Sequence, residues 1–118
     1  MSERTIRTNL ISSVRKNGDA LVASIIGEVD LGNSPVLRAA LMDLIARHAP
    51  KKLILNLRHV QYMDSSAIAV LVEAVRKVGK PGQVALTDLQ PRVKGLLEIA
   101  RLDTIFQITG TEQEALEK

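Results

Sequence analysis

The sequence predicts an α/β fold: a mostly parallel sheet of four to five strands, an antiparallel N-terminal strand, and four helices. Three observations lead there. Short apolar runs alternate with stretches of helical periodicity, the pattern of successive strand–helix units. One run, Leu53-Ile54-Leu55-Asn56-Leu57, is nearly continuous, as a strand covered on both faces requires. Residues that open helices, Ser34-Pro35, Asp64 and Pro91, stand just ahead of the periodic segments.

The first two strands are Leu10 to Val14 and Ala20 to Ile26, joined by the polar turn Arg15-Lys16-Asn17-Gly18-Asp19. That turn makes the first strand antiparallel to the second, which Gly27-Glu28-Val29-Asp30 closes. A helix then starts with Ser34 as cap and Pro35 in the first helical position. Val36, Leu37, Ala40, Leu41, Leu44 and Ile45 fall on one face, and Pro50 ends it. After the strand Leu53–Leu57 and a polar link, Asp64 begins a second helix with Ile68, Leu71, Val72 and Val75 inward. Glu73 and Lys77 are spaced for a supporting pair one turn apart, and Gly79, Pro81 and Gly82 stop the helix. Val84 to Thr87 is a strand, and Pro91 opens a third helix with Val93, Leu96, Leu97 and Ala100 inward. Ile105 to Ile108 is the last strand. Thr111-Glu112-Gln113-Glu114 has the capping-box pattern of a short terminal helix.

The 118 residues are read as a single domain, long enough for one core. Aromatic residues are only 2% of the chain, so Val, Ile, Leu and Ala must fill that core. There is no cysteine, which excludes disulfides, thiolate metal sites and thiol nucleophiles. No apolar run approaches the roughly 20 residues of a membrane-spanning helix, and no signal-peptide core follows Met1, so a cytoplasmic location without membrane insertion is expected. The formal charge of +3 is scattered, with no basic block suited to nucleic acid.

Catalytic patterns are missing: no nucleophile elbow, phosphate loop or dinucleotide loop. His48 and His59 have neither a paired nucleophile nor metal-ligand spacing beside them. The chain is therefore read as no enzyme, with no cofactor or metal. Asp64-Ser65-Ser66 is the informative place, directly after the buried strand and at a helix start. Asp64 can accept the first helix amides, and Ser65 would then project its hydroxyl outward beside them. A phosphate on Ser65 would meet free N–H groups and the positive end of the helix. By itself such a triplet is ordinarily a cap and nothing more.

Its surroundings give it weight. Gly27-Glu28-Val29-Asp30, Leu53–Leu57, Tyr62-Met63-Asp64-Ser65-Ser66, Pro91-Arg92-Val93 with Leu96-Leu97, and then Leu102 and Phe106 follow in order. In these pieces, from about Ala20 to Leu116, the chain resembles the STAS family, specifically its small bacterial anti-sigma-factor antagonists. The resemblance implies a STAS-like fold and a phosphorylation-regulated binding module in a partner-switching pathway. It implies that the domain binds an anti-sigma factor serine kinase, is released when that kinase phosphorylates Ser65, and is reset by a PP2C-type phosphatase. Partner contacts would lie at Asp30, Asp64, Ser65, Ser66 and Ala67. An alternative within the family is a STAS accessory subunit of a lipid-transport ABC ATPase complex, in which Ser65 would be structural. Two positions depart from the family pattern, which has Gly at both: Ala67, whose methyl would stand where a kinase approaches, and Arg101, before Leu102.

Overall fold

The computed structural model describes residues 10–118. Its elements in chain order are β1 (Ile11–Asn17), β2 (Ala20–Val29), α1 (Ser34–His48), β3 (Lys52–Met63), α2 (Ser65–Val78), β4 (Gln83–Thr87), α3 (Pro91–Ile99), β5 (Gln107–Thr109) and α4 (Glu112–Glu117). The five strands form one sheet in sequence order. β1 and β2 are antiparallel and every later pair is parallel, as expected.

Leu21, Ala23 and Ile25 of β2, Leu53, Leu55 and Leu57 of β3, and Val84 and Leu86 of β4 point to one face. There they meet Leu37, Leu41, Leu44 and Ile45 of α1, Ala67, Ile68, Leu71 and Ala74 of α2, and Val93 and Leu97 of α3. The opposite face presents Val22, Ile54 and Ala85, covered by Ala115 and Leu116 of α4. α4 is short, so polar fastenings hold it. Arg15 of β1 donates twice to the Glu112 carboxylate, at 2.8 and 2.9 Å, Asn56 Nδ2 donates to Glu112 at 2.7 Å, and Lys52 Nζ donates to the Ala115 carbonyl at 2.7 Å. The Thr111–Glu114 capping box forms at its start.

Several local expectations change. The polar segment Arg15-Lys16-Asn17 belongs to β1, and the turn shrinks to Gly18-Asp19, with Gly18 at a φ of +62°. Arg58 to Gln61, read as a polar link, and Tyr62-Met63 after it continue β3, because β2 runs on beside them to Val29. His59 is thus in a strand. Ser34 is no cap: it is the first helical residue and buried, with its N–H on the Asp30 carbonyl at 2.8 Å. Val36 turns outward because the apolar stripe of α1 is narrower than its sequence spacing suggests, and Ala100 is exposed because α3 ends one residue before it. Glu73 turns from Lys77 to Arg38 of α1, whose guanidinium grips both carboxylate oxygens; a planar fork pairs with a carboxylate better than an ammonium does. Ile105 is exposed, ahead of the last strand, which starts at Gln107.

Candidate functional site

The site stands on an extension of the sheet. β4 pairs with β3 only as far as Asn56–Thr87, whereas β2 and β3 stay paired to Val29–Met63. Two register shifts, at Ser24/Ile26 and Gly27/Glu28, each give β3 one extra residue and bend this two-stranded ribbon. Gly27 lies beside the second, at a φ of +90°, which a side chain would strain. At the ribbon's tip both strands feed helices. The Asp64 N–H donates across to the Val29 carbonyl at 3.2 Å, so the start of α2 and the β2–α1 loop are neighbours.

Asp64 organises this edge. Its Oδ1 accepts from the backbone N–H of Ser66 at 2.9 Å and of Ala67 at 3.1 Å, and from the Ser66 hydroxyl. Its Oδ2 accepts from the Leu31 N–H in the β2–α1 loop, at 3.0 Å. The Ser66 hydroxyl foremost, and then the Ala67, Leu31 and Ser66 amides, hold the carboxyl below its ordinary value against partial desolvation. Asp64 is therefore anionic at neutral pH, and one carboxylate fixes both the helix start and the neighbouring loop.

Ser65 is the first residue of α2 and exposed. Ser66 is half-buried, its hydroxyl committed to Asp64. Ala67 differs from the expectation: it is 0% exposed and its methyl belongs to the core, so it offers no side-chain surface. Asp64 has also taken two of the amides that a phosphate was expected to meet. Asp30 is exposed, and its Oδ1 accepts from the N–H groups of Gly32 (2.9 Å) and Asn33 (3.3 Å). Asp30, Asp64, Ser65 and Ser66 thus come together, and Ala67 lies beneath them. Sequence reasoning missed Leu31 and Asn33; the Asp30–Asn33 spacing was the available signal, because such residues close turns on their own backbone.

Among the described residues no group of three or more His, Asp or Glu side chains could hold a metal ion, and no helix is long and apolar enough to cross a membrane. A mostly parallel sheet thus carries three helices on one face and one on the other, with an acid-capped serine at its carboxyl edge. The STAS domain pattern matches residues 12–115, and the chain belongs to the STAS family. It is 31% identical over 106 residues to the anti-sigma-B factor antagonist of Bacillus subtilis (strain 168), covering 89% of this chain and 95% of that protein. With the anti-sigma F factor antagonist of Paenibacillus polymyxa it shares 29% identity over 109 residues, 92% of this chain and 93% of the other. The crystal structure of an anti-sigma factor antagonist from Mycobacterium paratuberculosis superposes with a TM-score of 0.81 at 25% identity, covering 89% of each chain.

Proposed function

We propose that this STAS domain is an anti-sigma-factor antagonist, a cytoplasmic binding module and not an enzyme, switched at Ser65. Unmodified, it binds an anti-sigma factor that is also a serine kinase. The kinase transfers the γ-phosphoryl group of ATP to Ser65 Oγ, the hydroxyl proton is lost, and ADP leaves. A PP2C-type phosphatase hydrolyses the phosphoserine and restores the binding form. The single observation that carries this reading is the division of labour at the α2 start. Asp64 supplies the cap and occupies Ser66, leaving Ser65 exposed at the helix start with no structural duty that a phosphate would break. The names of the relatives above favour this reading over the transport-subunit alternative.

Phosphorylation adds about −1.5 to −2 charges. In the free domain the helix end attracts that charge by about 0.3–1 kcal/mol, and the Asp64 carboxylate opposes it through water. The fold changes little. At an interface the phosphate must lose its water beside a second anion, which costs several kcal/mol, and each ~1.4 kcal/mol is tenfold in affinity. Capture from the native cell, with phosphosite mapping by mass spectrometry, tests the reading. The parent chain and Ser65→Ala should recover a serine-kinase anti-sigma factor, with Ser65→Ala holding it persistently. Ser65→Asp should bind weakly while melting like the parent, and Ser66→Ala should still accept phosphate. Phosphate on Ser66, or parental binding by Ser65→Asp, would sink the switch.

A further inference from the structure

We propose that Leu31 is the apolar anchor of the contact made at the Ser65 edge, seated in an apolar pocket of the anti-sigma partner; this rests on the function proposed above. Leu31 is 76% exposed in the loop between β2 and α1. A single exposed leucine is ordinary in a soluble protein. What sets this one apart is how it is held and beside what.

The loop around it is braced at almost every residue. The Asp30 N–H donates to Asn33 Oδ1 at 2.9 Å, and Asp30 Oδ1 receives the Gly32 and Asn33 amides. Asn33 Nδ2 donates to the Glu28 carbonyl at 2.9 Å, and the Ser34 N–H reaches the Asp30 carbonyl. The Leu31 amide itself is bound to Asp64 Oδ2. None of these bonds buries the side chain, so the brace presents an apolar group to water in a fixed backbone position. An anchor ordered beforehand loses little freedom on docking, which is how a small contact reaches useful affinity.

Position identifies the occupant. The carboxylate that binds the Leu31 amide through Oδ2 caps the Ser65 helix through Oδ1, so Leu31 and Ser65 flank one side chain and belong to one edge. α1 and α2 start at this same edge, and the exposed Pro35 and Val36 in the first turn of α1 extend the apolar surface. The partner's contact then has an apolar centre beside the modifiable hydroxyl. Once Ser65 carries phosphate, that group keeps its water only if the pocket leaves Leu31, so the product of the kinase's own reaction releases the anchor.

The test titrates the serine kinase recovered with the parent chain against purified variants, reading the dissociation constant, the off-rate and the melting temperature. Leu31→Ala should bind about 10- to 100-fold more weakly, mainly through faster dissociation, and should melt like the parent. Leu31→Met, which keeps apolar volume, should restore near-parental affinity. Ile99→Ala, at the far end of α3 and 84% exposed in the parent, should bind as the parent does. Parental affinity in Leu31→Ala alongside weak binding by Ser65→Asp would overturn the anchor and leave the switch standing. Recovery of no anti-sigma kinase, or of a different class of protein through Leu31, would overturn this occupant together with the proposed function.

Discussion

Arg101 ends α3 in a conformation that glycine adopts more cheaply, and replacing it should stabilise the protein. The Leu102 N–H donates to the Leu97 carbonyl at 2.9 Å and the Arg101 N–H to the Glu98 carbonyl at 3.0 Å, the paired bonds of a Schellman ending. Leu102 packs against the core that contains Leu97, which completes the motif. Its left-handed residue is Arg101, at a φ of +60°. The sequence suggests that this helix lacks a left-handed glycine end; the chain makes the same turn with arginine. A residue with a Cβ pays about 1–2 kcal/mol there, while glycine costs about 0.5–1 kcal/mol more in chain entropy on folding. The difference leaves about 0–1.5 kcal/mol, with a midpoint near 0.75, in favour of Arg101→Gly. The exposed guanidinium near a helix C-terminus contributes about 0.3–1 kcal/mol of its own, so Arg101→Ala is the proper reference: it removes the charge and keeps the Cβ. Melting followed by circular dichroism should place the glycine variant about 2–5 °C above the alanine variant. Urea titrations should show the same order with an unchanged slope. A glycine variant that melts at or below the alanine variant would refute the backbone argument.

Two further outcomes test the core and the site. Leu55 and Leu71 are fully buried in the main core, so truncating either to alanine should cost about 2–5 kcal/mol against a typical total of about 5–15; denaturant midpoints that barely move for both would show that the faces are misassigned. The lowered Asp64 pKa adds stability that is fully present above the ordinary aspartate value of 3.8 and is lost as pH falls through the folded value below it. Asp64→Ala should therefore melt earlier than the parent at pH 7, with the gap narrowing as acid protonates the parent's carboxyl; a gap independent of pH down to full protonation would remove the charged cap from the explanation.

The features legible from residue order alone are local ones. The capping box at Thr111–Glu114, the cap at Asp64 and the exposed place of Ser65 each depend on atoms within about one helical turn, where residue type and spacing decide the outcome. The alternation of apolar runs with helical stripes likewise carried the strand order's main feature, a parallel sheet with one antiparallel edge. Tertiary structure decided whatever needed a distant partner. Glu73 chose Arg38, 35 residues away, over a lysine one turn along its own helix, and Glu112 found Arg15 across 97 residues. The link Arg58–Gln61 became strand because β2 lay beside it to supply hydrogen bonds, although its own pattern reads as a polar link. The Ala67 methyl went inward because α2 packs on the sheet. Leu31 became part of the site only when Asp64, 33 residues on, folded back to bind its amide. Propensities and caps act through nearest neighbours along the chain, whereas pairing, burial and loop bracing depend on which surfaces meet once the chain has closed on itself.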